Sequence, residues 1–201
     1  FSKAFYSNFN DWRQISDWYY ELSRHKQNQT IELKSLADSL FENTTSDWEK
    51  ALKIHEFITK NVNYSFVPFR QSGWVPQAAK DVLATRIGDC KDMASLGKCL
   101  MDIAGIKSWL VLVNTGIHYF TDHAFIGPNF DHCILQFETG DKTTYVDFTD
   151  RNTALGRLPS ADQGAMALVI KPGNRDISVL PIDTPEDRLI RRDIVMQLDS
   201  S

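Results

Sequence analysis

The chain has 201 residues, 42% hydrophobic and 11% aromatic, which is enough apolar material for a sizeable core and excludes wholesale disorder. Its 22 Lys and Arg against 26 Asp and Glu leave a net charge of −4, arguing against a nucleic-acid or anionic-membrane binder built on a basic stripe. The longest apolar runs, 109–113 and 165–170, are strand-sized, far short of the roughly 18–20 residues that span a bilayer.

The first third reads as helices. Phe9, Trp12, Ile15, Tyr19 and Leu22 recur at three- and four-residue steps, and Leu33, Leu36, Ala37, Leu40 and Phe41 repeat the pattern. Ser46 and Glu49 have the spacing of a capping box, opening a third helix with the stripe Trp48, Ala51, Leu52, His55, Ile58 and Val62. His55, in the middle of that stripe, reads as a core histidine. Residues 64–76 lack a helical period and suggest a loop with a short extended piece. A short helix is predicted over 78–85, and a longer one from Gly88 to about Ala104, stopped by Gly105.

From there the character changes. Segments 108–113, 131–137 and 143–149 are rich in β-branched and aromatic residues, and the turn formers between the last two mark an antiparallel hairpin. Further strand-like runs are 166–170, 177–180 and 189–198. This order, helices and then an antiparallel sheet, predicts an α+β fold. The expected division is a leading helical segment (1–45), a core (46–182), and a linker with a terminal strand (183–201), the last belonging to a neighbouring domain. A first residue Phe1 in place of Met suggests a piece of a longer chain with flanking domains.

Three cysteines, Cys90, Cys99 and Cys133, are too few and too odd for a disulfide framework, and none forms a Cys-x-x-Cys pair. Cys90 differs from the others. In Gly88-Asp89-Cys90-Lys91-Asp92, Asp89 is a good N-cap and Asp92 completes a capping-box-like pair, so Cys90 falls in the first helical turn. Unsatisfied amides and the positive dipole end favour an anion there, and thiolate is the reactive form of cysteine. Gly88 leaves room for a substrate backbone. Cys99 and Cys133 read as core.

A nucleophilic thiol needs a base, and the base an orienting acid. Residues 132, 134 and 136 share one strand face, and 145, 147 and 149 share one on the next. A turn centred on Thr139 and Gly140 sets His132 directly opposite Asp147; a turn one residue later makes them diagonal neighbours. Either register brings imidazole and carboxylate together. His118, His123, His132 and Cys133 match no standard metal-ligand spacing, so no metal or other cofactor is expected.

These residues resemble the transglutaminase-like superfamily, the thiol-enzyme fold related to papain, and in particular the bacterial core domains found within larger proteins. The resemblance rests on Gly73, Trp74, Val75 and Pro76; on Gly88-Asp89-Cys90-Lys91-Asp92; on Gly105 and Ile106; on Asp131 and His132; on the run from Tyr145 to Thr149; and on Leu158 and Pro159. It covers about residues 45–170. It implies Cys90 as nucleophile, His132 as base and Asp147 as orienting acid. The oxyanion would be held by the Cys90 N–H and a side-chain donor: Trp74 is preferred, with Gln71, Gln77 and Tyr64 as alternatives. The implied activity is acyl transfer from amide bonds of a protein or peptide through a thioester. The alternatives are a peptidase or amidase acting on peptide or cell-wall amides, or an idle domain that kept the groove. The relatives are often exported, which suggests the periplasm or cell envelope.

Overall fold

The computed structural model describes residues 7–65, 73–116 and 126–184. Three helices come first: α1 (Trp12–Ser23), α2 (Ile31–Phe41) and α3 (Asp47–Asn61), with a 3-10 turn at Arg24–Gln27. Each begins at a side chain that caps it. Asp11 accepts from the Gln14 N–H, Thr30 from Leu33, and Ser46 from Glu49, whose carboxylate returns the bond in the expected capping box. Phe9 therefore lies ahead of α1, although it still packs against the core.

The loop after α3 contains β1 (Asn63–Tyr64), which pairs in parallel with β2 (Ile87–Gly88) beyond α4 (Ala79–Thr85). The longest helical stripe of the middle third becomes α5 (Cys90–Ile103). It ends as the sequence suggests, with Gly105 at φ 78° and the Ile106 N–H reaching back to the Met101 carbonyl.

The second half is a five-stranded antiparallel sheet in the order β5-β4-β3-β6-β7. Its members are β3 (Ser108–Asn114), β4 (His132–Thr139), β5 (Lys142–Val146), β6 (Met166–Val169) and β7 (Ile177–Val179). β5 stops at Val146 and does not run on to Thr149. The physical reason is local: the Asp147 carboxylate accepts the Thr149 N–H at 2.8 Å, bending the chain out of the ladder.

Both sheet faces are covered. Leu110, Leu112, Leu135 and Phe137 face the helices, whereas Val111, Val113 and Ile134 pack under Leu158, Ala165 and Leu180. α5 is central and buried nearly all round, with Met93, Leu96, Cys99, Leu100 and Met101 in the core. The leading helices share that core through Ile15, Tyr19, Leu33 and Ala37. His55 is buried beside Phe148, and burial pushes its imidazole down, keeping it neutral. The strand-like run 189–198 lies outside the described residues, as does most of the predicted linker.

Candidate active site

The start of α5 is held by a capping box. Asp89 accepts from the Asp92 N–H at 3.3 Å, and Asp92 accepts from the Asp89 N–H at 3.1 Å. Asp92, 1% exposed, also takes two bonds from Gln77, from its backbone N–H and its amide nitrogen, both at 2.7 Å. The Gln77 side chain donates as well to the Ile87 carbonyl, so this candidate oxyanion donor is spent on structure. Gly88 is buried, and a Cβ there would meet the Asp92 Cβ at 2.8 Å; its missing side chain makes room for the capping box. Lys91 forms an ion pair with Asp89. Cys90, half-buried, occupies the first helical position, where its own N–H has no intrahelical acceptor.

His132 opens β4, and Asp147 follows β5 by one residue. Leu135 pairs with Val146 and Thr139 with Lys142, so the turn is centred on Gly140 and Asp141. This is the second of the two registers considered, and it makes His132 and Asp147 diagonal neighbours. The imidazole Nε2 lies 3.0 Å from Asp147 Oδ2. The same carboxylate accepts the backbone N–H and hydroxyl of Thr149, at 2.8 and 2.9 Å. The Cys90 thiol and the His132 ring line the same cleft, and with Nε2 engaged by Asp147, Nδ1 is the nitrogen left for sulfur.

Electrostatics follow from that chain. Burial opposes a charge on His132, but the Asp147 hydrogen bond and the Cys90 sulfur outweigh it, and the imidazole is pushed up to about 11. Asp147 experiences the same contest: burial disfavours its charge, yet His132 and Thr149 hold it below the usual carboxylate range. Cys99 and Cys133 lie in the opposite environment. Burial pushes the Cys99 thiol up to about 11 and raises Cys133 as well.

Cys90 and His132 line a cleft of 360 Å³, walled by Tyr19, Tyr64, Trp74 and Phe130. The Trp74 ring stands edge-on to Trp18 and Tyr19, with centroids 5.6 and 6.2 Å away. Gln71, His118 and His123 lie outside the described residues.

Two residues at the site escaped the sequence reading. Tyr19, from the segment assigned as a leading appendage, is 1% exposed and lines the cleft. Its position in an apolar stripe signalled only core. Asp162 lies in the turn between Pro159 and Ala165, buried, with Oδ1 3.8 Å from His132 Nε2. Nothing in its sequence context distinguishes it from a solvated turn aspartate. Among the described residues, His132, Asp147 and Asp162 are the one group whose ligand atoms, all within 4.8 Å of one another, could hold a metal ion.

Residues 34–145 match the sequence profile of the transglutaminase-like superfamily. Among solved structures, a candidate protease from Parabacteroides distasonis superposes with a TM-score of 0.64 at 20% identity. The match covers 86% of this chain and 32% of that one, so the chain spans about a third of that protein. A candidate cysteine protease from Cytophaga hutchinsonii (TM-score 0.45, 21% identity, 69% of this chain and 47% of that one) is also similar. So is a protein described as a TGase (0.45, 14%, 67% and 37%). No functionally curated protein matches the chain.

Proposed function

The chain belongs to the transglutaminase-like superfamily, a family of cysteine-type enzymes, and we propose that it catalyses acyl transfer from an amide bond through a thioester on Cys90. The observation that carries this reading is that Cys90, at the amide-lined mouth of α5, shares one cleft with His132, whose ring Asp147 holds.

The Cys90 thiolate attacks the amide carbon, forming the C–S bond and moving the carbonyl electron pair onto oxygen. The Cys90 N–H donates to that oxygen, with the Trp74 indole N–H as the proposed second donor. His132, held as an imidazolium, gives its Nδ1 proton to the nitrogen of the breaking C–N bond, and the amine leaves. Acylation removes the thiolate charge that helped to hold the proton on His132, so the ring is less basic in the second half-reaction. The neutral ring then takes a proton from the incoming amine or water. That acceptor attacks the thioester, and the thiolate is released. Asp147 stays ionised throughout, fixing the ring and steadying its positive charge.

A glutamine-containing peptide incubated with a labelled primary amine tests the reaction. Incorporation of the amine with release of ammonia, abolished by Cys90→Ala, is the expected result. Release of a free acid or of a cleaved peptide in place of the amine adduct would make water the acceptor. Turnover that survives Cys90→Ala would refute the proposal.

A further inference from the structure

We propose that α1 builds an aromatic subsite into the cleft, one that selects peptides carrying an aromatic side chain beside the reacting amide. The inference rests on the function proposed above for the reaction, though not for the binding.

α1 precedes residues 34–145, the part of the chain that matches the family profile. The cleft nevertheless depends on it. Tyr19 is part of the wall itself, and two further rings of α1 stand behind the aromatic residues that complete it. Trp12 lies edge-on to Phe130, with ring centroids 6.1 Å apart, and Trp18 lies edge-on to Trp74 at 5.6 Å. Edge-to-face contacts of this kind fix the orientation of both rings. α1 has little freedom to slip, because the two residues ahead of Trp18 are tied to the chain beyond β6. The Ser16 hydroxyl donates to the Lys171 carbonyl at 3.0 Å, and Asp17 accepts the Gly173 N–H at 2.8 Å. Trp12 and Trp18 thus act through Phe130 and Trp74, as positioning residues.

The charged groups around the thiol and imidazole are already engaged. Lys91 pairs with Asp89, which also caps α5. The Asp131 carboxylate accepts the N–H and the hydroxyl of Thr115, both at 2.8 Å. A charged side chain entering the cleft would give up its water and find these groups spoken for. A ring meets the opposite situation. Tyr19, Trp74 and Phe130 offer it faces and edges, Leu112 adds an aliphatic contact, and Tyr64, 48% exposed, stands at the rim. The 360 Å³ of the cleft admits a ring next to the amide, and burying a ring yields more than burying a smaller apolar side chain.

The test compares glutamine peptides with Phe, Ala or Lys flanking the glutamine, by kcat/KM for incorporation of a labelled amine. Wild type is expected to favour the Phe peptide over the Ala peptide by about tenfold or more, and to use the Lys peptide least. Trp18→Leu should shrink the Phe-to-Ala ratio several-fold, and Trp18→Phe, which restores a ring behind Trp74, should recover it. Loss of folded protein lowers both rates alike and leaves that ratio unmoved. Should Trp18→Leu fail to fold, the wild-type series decides alone. A wild-type ratio near one, a preference for the Lys peptide, or a ratio untouched in folded Trp18→Leu would overturn the proposal. If no peptide is turned over, the functional reading fails. The subsite is then judged by binding of the same peptides to Cys90→Ala, followed by tryptophan fluorescence: tighter binding of the Phe peptide supports it, and equal binding overturns it.

Discussion

At Asp147 three donors converge on one carboxylate: the His132 ring and the backbone and hydroxyl of Thr149. Such convergence holds a buried anion in place, and the anion in turn holds the imidazole as a cation. The signs give a pH window for the pair. Asp147 is depressed, so its contribution is present above the ordinary carboxylate pKa of about 4 and lost as pH falls. His132 is raised, so its contribution is complete below about 6.5 and drains away as pH climbs toward 11. Asp147→Ala should cut turnover by about a hundredfold or more and move the alkaline limb of the pH–rate profile to lower pH. A profile unchanged in height and position would remove Asp147 from the machinery. The residues of this pair were legible in the sequence because strand alternation restricts which side chains can meet. The exact register was not, since a two-residue shift in pairing keeps every side chain on its own face.

α5 joins the site to the core. Its first residue is Cys90, and two turns later Gly97 lies against Phe148, the neighbour of Asp147. A Cβ on Gly97 would stand 2.4 Å from the Phe148 ring, which is itself 1% exposed and without room to retreat. Alanine gains about 1 kcal/mol of helix propensity over glycine, whereas overpacking a close core contact costs about 1–3 kcal/mol. Gly97→Ala should therefore destabilise the protein by about 1 kcal/mol, read as a lower urea midpoint, and slow Cys90 alkylation by shifting Asp147. A raised midpoint would show that the contact is soft. The helix itself was plain from its caps and stripe: Asp89, Asp92 and Gly105 are local chemistry. Gly97 was not, because its meaning depends on an aromatic ring more than 50 residues away.

Across the whole molecule, distant segments meet to build the site. α1 supplies Tyr19 to the cleft and is fastened to the far side of the sheet. There the Ser16 hydroxyl donates to the Lys171 carbonyl and accepts its N–H, and Asp17 takes the Gly173 N–H. The turn carrying Asp162 comes from the other end of the chain and closes the back of His132. Neither contribution could be read from sequence. An apolar stripe says that a tyrosine is buried without saying beside what, and a turn aspartate looks the same whether it meets water or a carboxylate. Helices, strands and the thiol–imidazole–carboxylate set were legible because each has a local signal.

The most direct test is alkylation of the native protein by limiting iodoacetamide near neutral pH, mapped by mass spectrometry. A thiol on a helix mouth beside an imidazolium should react first, well ahead of two thiols that burial keeps protonated. Early modification is expected to be confined to Cys90, with Cys99 and Cys133 labelled only on unfolding. Cys99 or Cys133 reacting as fast as Cys90 in the folded protein would contradict it.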